Sequence, residues 1–195
     1  RRARNWAMVN PPDPARRSDR ARTAILAAAW QLLDADGWQA VTVDRIAAAA
    51  GVGKQTVYRW WRGKGDVLFD ALLDNARTQP ARPRTDDVDG ILRAHARHFV
   101  RLYVGTPLGR HLRELVGAAQ HDEQLAAALR ERWFEPRRAS VREALAGRID
   151  DVDTVLDLLF GPLHYRLLTG HGPIDRQYAD HVTDLVLAAI RPGAR

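Results

Sequence analysis

The sequence predicts an all-α protein of about nine helices, with a small three-helix N-terminal domain joined to a larger C-terminal helical bundle. Three observations carry that expectation. Apolar residues recur at spacings of three and four along most of the 195-residue chain, the period of helices with one buried face. No alternating apolar–polar stretch bounded by turns occurs, so no strand is predicted. Turn-forming groups separate the periodic segments: Gly37, Gly51, Gly105-Thr106-Pro107, His121-Asp122 and the stretch 170–173.

Residues 1–17 lack periodicity and hold three prolines, which reads as a flexible basic arm. Ser18 or Asp19 is placed to cap a first helix over 19–36, with a wide apolar face built from Ile25, Leu26, Ala29, Trp30, Leu32 and Leu33, ended by Gly37. Thr42 is the next cap, opening a helix over 43–50. Short helices follow over 54–61 and from Lys64 to about 78, the latter fading before Pro80 and Pro83. The domain boundary is therefore drawn at 18–79 and 80–195. In the second domain helices are expected over 86–104, 107–119, 122–147, 151–169 and 175–190. Pro136 and Pro162 fall inside two of these, and each is expected to kink its helix because it removes a backbone donor.

Composition narrows the function classes. No run of about 18 apolar residues is present and no charged-then-apolar leader precedes the first helix, so a cytoplasmic protein without membrane contact is expected. Cysteine is absent, which removes disulfides, thiolate metal sites and cysteine nucleophiles. There is no Gly-rich phosphate loop, nucleophile elbow or metal triad, so neither an enzyme nor a cofactor is expected. Of the net charge of +6, residues 1–79 carry +5, from thirteen basic and eight acidic side chains. That asymmetry points the N-terminal part at a polyanion. Only two of the 30 basic residues are lysines, Lys54 and Lys64.

The stretch 42–64, TVDRIAAAAGVGKQTVYRWWRGK, has the parts of a helix-turn-helix. Ala47 to Ala50 keep the first helix thin enough to be crossed closely. Gly51 supplies the turn. Val57 and Trp61 form an inward i, i+4 pair on the second helix, leaving Lys54, Gln55, Thr56, Tyr58 and Arg59 outside. That outward set suits DNA: Lys54 and Arg59 for phosphates or guanine edges, Gln55 for adenine, Thr56 for a phosphate or a thymine methyl, Tyr58 for a phosphate oxygen. Lys64 opens the next helix, where backbone N–H groups also attract phosphate.

From about Thr23 to Leu73 the chain resembles the TetR-type regulators. The matching residues are Ile25-Leu26-Ala27-Ala28-Ala29, Gly37, Thr42, Ile46-Ala47, Ala50-Gly51-Val52, Thr56, Tyr58, Trp61, Lys64 and Leu68. The resemblance implies that Thr42, Lys54, Thr56, Tyr58 and Lys64 hold the DNA backbone, with Gln55 and Arg59 better placed to read bases. The chain departs from the family pattern at Gly53, where a serine is usual, and at Arg62-Gly63 in place of Pro-Ser; Arg62 could add a phosphate contact. Trp60 either leans on the DNA backbone or packs on the first helix, and packing is favoured. The arm's arginines Arg1, Arg2, Arg4, Arg16 and Arg17 either enter a minor groove or belong to a plain tail.

The C-terminal half resembles the family's ligand-binding and dimerisation region more loosely. What this implies is a repressor that binds a pseudo-palindromic double-stranded operator as a homodimer and is released by a small-molecule effector. Candidate pocket residues are His95, His98, Phe99, Leu102, Tyr103, Leu112, Leu115, Trp133 and Phe134. His95 and His98 share a helix face, but no third ligand is evident and no metal is expected. Candidate dimer residues on the last two helices are Leu156, Leu159, Phe160, Leu163, Leu167, Val182, Leu185, Val186 and Ala189. These apolar stripes are read as too extensive for a lone chain to cover. The alternative is a sequence-tolerant architectural DNA binder with no effector, distinguished by salt-dependent binding without sequence preference.

Overall fold

The computed structural model describes residues 14–77, 85 and 87–190. Among them every regular element is helical. The order is α1 (Pro14–Ala40), α2 (Val43–Ala49), α3 (Lys54–Tyr58), α4 (Lys64–Arg77), α5 (Val88–Tyr103), α6 (Pro107–Ala119), α7 (Glu123–Leu129), a π-helical turn (Arg130–Phe134), α8 (Glu135–Leu145), α9 (Val152–Thr169) and α10 (Arg176–Ile190). The segment 123–145 is continuous, so these make nine helical rods.

Local chemistry explains most boundaries. Thr42, Asp87, Thr106, Asp122 and Asp151 each accept a backbone N–H of the following first turn, satisfying one of the donors a helix start leaves open. Gly37 (φ 75°, ψ 169°) breaks α1, and residues 38–40 form a separate last turn beyond it. Gly170 (φ 68°) closes α9 in the left-handed conformation that a side chain would strain.

Three expectations are corrected here. α1 starts at Pro14, so Ser18 and Asp19 lie inside the helix and do not cap it. Residues 1–13 of the expected arm lie outside the described residues. The kink expected at Pro136 is taken up as the π turn just before it, where Glu135 N–H bonds back to Arg130 O. Proline has no N–H to offer the ladder, and a one-residue re-registration accommodates that gap. Pro162 is accommodated inside α9, which runs on to Thr169.

One core runs through both halves. Ile25, Ala29 and Leu33 of α1 meet Ile46, Val57, Val67, Leu68 and Leu72, all 0–1% exposed. α6 is the joint to the bundle. Its His111 is buried edge-on against Trp30 (5.0 Å between rings), 3.3 Å from both Asp34 and Glu114. Arg110 pairs with Asp34 at 2.6 Å, so α1 is held on α6 by charge as well as packing. In the bundle α5 lies against both α9 and α10. Arg97 grips Asp180 of α10 with two bonds of 2.6 and 2.8 Å, which holds that carboxyl below the usual range.

Candidate functional site

The N-terminal site is assembled by anchoring one face of a very short helix. α3 has five residues, too few to stand alone, so tertiary contacts must hold it. Val57 is wholly buried and Trp61 is 5% exposed. The Trp61 indole donates to Asp70 Oδ2 of α4 at 3.0 Å. Trp60 is half-buried and meets its chain neighbour Trp61 edge to face at 5.4 Å. Gly51 (φ 66°) makes the turn between α2 and α3. Gly53 begins α3 without a side-chain cap.

With that face buried, Lys54, Gln55, Tyr58 and Arg59 are exposed and Thr56 is half-buried. Thr42, also exposed, caps α2 by accepting from Arg45 N at 3.2 Å. Two cations have partners that sequence reading missed. Lys54 Nζ lies 2.6 Å from Asp44 Oδ1, and this hydrogen-bonded ion pair raises its pKa. Lys64 is folded back, its Nζ donating to Trp38 O at 3.0 Å and Gln39 O at 3.5 Å. It ties α4 to the carbonyl end of α1 and is half-buried. Arg62, read as a further phosphate contact, pairs instead with Asp66 (3.1 Å) and Gln124.

A second site lies in the bundle, a cavity of about 440 Å³ between α5, the π turn, α8 and α9. His95, His98, Phe99, Leu102, Tyr103, Trp133 and Phe134 line it. Leu112 and Leu115 do not; at 1% and 0% exposure they are sealed into the core beneath α6. Sequence reading missed Arg137, Arg138, Asp157, Gly161 and His164, which complete the wall, and it assigned Phe160 to a dimer face although that ring lines the cavity too. The signal was present in α9, where Asp157, Phe160, Gly161 and His164 follow an i, i+3, i+4, i+7 pattern.

The cavity wall is aromatic and internally braced. Phe99 meets Tyr103 and His164 at 4.7 Å each, and Phe134 meets His164 at 5.7 Å. Burial lowers the pKa of His164, and its Nδ1 sits 2.9 Å from Phe160 O. A carbonyl only accepts, so Nδ1 carries the proton and Nε2 of the neutral ring is an acceptor. Asp157 is engaged by Arg138 at 2.6 Å. Among the described residues no group of three His, Asp or Glu side chains is gathered as a metal site, and no helix is long and apolar enough to cross a membrane.

The expected dimer list is largely overturned by burial. Leu156, Leu159, Leu163, Leu167, Val182 and Val186 are 0–7% exposed within one protomer. α5, lying against α9 and α10, is the cover that sequence reading judged missing. Leu185 (59%) and Ala189 do face outward. The exposed apolar side chains of α9 are different ones: Leu158, Tyr165 and Leu168.

Comparison with known proteins agrees across the chain. Residues 25–71 match the family described as "Bacterial regulatory proteins, tetR family", and residues 82–186 match "Tetracyclin repressor-like, C-terminal domain". The chain is 36% identical over 183 residues, 90% of either chain, to the uncharacterised HTH-type transcriptional regulator YdeS of Bacillus subtilis. It is 31% identical to a DNA-binding transcriptional repressor TetR of Mycobacteroides abscessus, covering 92% of this chain and 98% of the relative. The crystal structure of the regulator SCO0332 superposes with a TM-score of 0.73 at 34% identity, over 88% of this chain and 99% of that one.

Proposed function

The chain belongs to the TetR family of helix-turn-helix transcriptional regulators, and from that premise we propose that it is a homodimeric repressor, released from a pseudo-palindromic operator when a small molecule enters the bundle cavity. Residues 18–79 form the DNA-binding domain and residues 80–195 the effector-binding and dimerisation domain. Lys54, Thr56, Tyr58, Thr42 and Lys64 hold phosphates, while Gln55 and Arg59 read base edges. For Lys54 this means exchanging Asp44 for a phosphate. Lys64 acts mainly by fixing the start of α4, with a third N–H left over for the backbone of the DNA.

One observation carries the effector part of this reading. Asp70 of α4 accepts from Arg132 of the π turn at 2.6 Å through one oxygen and from the Trp61 indole at 3.0 Å through the other. Arg132 precedes the cavity residues Trp133 and Phe134, and Trp61 anchors the DNA-facing helix. A single carboxylate thus couples the cavity wall to the reading helix. A ligand that shifts the π turn changes the seat of α4 and, through it, of α3. The shift can be no larger than the ligand's difference in affinity for the two arrangements.

The dimer face is drawn along Leu158, Tyr165 and Leu168 of α9 with Leu185 and Ala189 of α10, exposed apolar positions that an isologous partner would cover. Two copies of a five-residue helix, about one DNA turn apart, supply the contacts that one cannot.

The test is selection of genomic DNA fragments on the purified protein at physiological salt, followed by sequencing. A pseudo-palindromic motif with two half-sites is expected. Uniform recovery of fragments overturns the specific-repressor reading in favour of a sequence-tolerant binder.

A further inference from the structure

The cavity's polar groups are unequally provided for, and the inequality has a sign. Trp133 is wholly buried, and its indole Nε1–H makes no well-formed hydrogen bond among the described residues. Four residues on, the Arg137 guanidinium lies over the same indole at 3.7 Å from the ring centre and donates to Trp133 O at 2.7 Å. No carboxylate among the described residues pairs with Arg137. The Tyr103 hydroxyl completes the group: burial raises its pKa, while Arg137, by its charge and as a donor, and the Trp133 indole, as a donor, act on its oxygen in the opposite direction. Three donors therefore converge on one corner of the cavity.

The acidic side of the wall is different. Asp157 is the one carboxylate among the lining residues. It stands largely in solvent and is already paired with Arg138. A cationic ligand would find no free counter-charge, whereas an anionic one would find a guanidinium with no carboxylate partner and an indole N–H faced only by the Tyr103 oxygen. Beyond that corner the wall is rings: Phe99, Phe134 and Phe160 around His164, whose Nε2 is left as an acceptor.

We propose that the effector is a planar aromatic acid, its carboxylate or phenolate held by Arg137, Trp133 and Tyr103, its ring system set among Phe99, Phe134 and Phe160, and a hydroxyl or N–H directed at His164. This rests on the reading of the cavity as an effector site and names the chemistry it selects. Arg137 sets the charge preference, and Trp133 reports occupancy because its indole N–H gains a stronger, anionic acceptor.

Calorimetric titration of the full chain, without DNA, tests this with three probes of similar shape: xinafoate, which is a hydroxynaphthoate; its neutral primary amide; and the cationic dye proflavin. Xinafoate is expected to bind about tenfold or more tightly than the amide, the worth of one charge-assisted hydrogen bond, and proflavin more weakly still. Arg137→Gln is expected to erase the difference between acid and amide, and Arg137→Lys to keep much of it. Equal or tighter binding of the amide or of proflavin to the unmodified chain overturns the proposal while leaving the cavity as a ligand site. Absence of binding by all three overturns it as well. Because these titrations contain no operator, neither result bears on DNA recognition, which the fragment selection decides by itself.

Discussion

Lys54 and Arg59 occupy the same exposed face yet stand in different electrostatic settings. Lys54 is held by Asp44 on the neighbouring helix, whereas Arg59 closes α3 without a side-chain partner of its own among the described residues. Their roles on DNA should differ accordingly. Lys54→Ala is expected to weaken binding to all sequences alike and to lower the slope of log affinity against log salt by about one, because one phosphate contact and its released counterion are lost. Arg59→Ala is expected to cost about 1–3 kcal/mol on the selected motif and to relax its preference at one base pair, with little change in the salt slope. Fluorescence anisotropy with the selected motif and single-base variants, at several salt concentrations, separates the two. An Arg59→Ala variant that weakens all sequences equally would reassign Arg59 to the backbone.

The π turn is the element on which the coupling depends. It faces two ways: Trp133 and Phe134 line the cavity, while Arg132 pairs with Asp70 and lies 5.1 Å from the Phe69 ring centre. Pro136 makes this geometry cheap by withholding a donor just where the ladder re-registers. Arg132→Ala should therefore leave effector binding within about twofold and leave stability within about 1 kcal/mol, since the Arg132 end of the pair is half-exposed and the more buried Asp70 keeps Arg22 and the Trp61 indole as partners. What it should lose is the response, with operator release at saturating effector much reduced. Mobility-shift titrations of operator complex with effector, set beside calorimetry on the free protein, check this. If release is unchanged in Arg132→Ala, the Asp70 connection is not the route.

At the scale of the whole molecule, α9 divides its residues among three neighbours. Leu156, Leu159, Leu163 and Leu167 face the core; Asp157, Phe160, Gly161 and His164 line the cavity; Leu158, Tyr165 and Leu168 face outward. A core substitution and an outer one should consequently fail in different ways. Leu163→Ala is expected to lower unfolding free energy by about 2–5 kcal/mol through lost burial and a residual void, with dimers persisting wherever the protein is folded. Tyr165→Glu is expected to leave the protomer folded but monomeric and to abolish tight operator binding, because a charge at the centre of an apolar interface is desolvated without a partner. Light scattering after size-exclusion, together with thermal melts, distinguishes the two; a dimeric Tyr165→Glu protein would move the interface elsewhere.

The sequence by itself determined what depends on neighbours along the chain. Helix periodicity is local, so the helices of the bundle were legible to within a few residues, as were the cap at Thr42, the turn at Gly51 and the outward face of α3. Tertiary structure alone decided what covers each apolar stripe and where each long cation goes. Periodicity reveals that a helix has an apolar face but not which element lies on it, so the Leu156–Leu167 stripe reads as an interface until α5 is seen against it. The partners of Lys64 and Arg132 lie 26 and 62 residues away along the chain, at Trp38 and Asp70, beyond any local pattern. The charge character of the cavity is of the same kind. It depends on which guanidinium finds a carboxylate in space, Arg138 with Asp157 and Arg137 with none among the described residues, and side by side in the sequence those two arginines are indistinguishable.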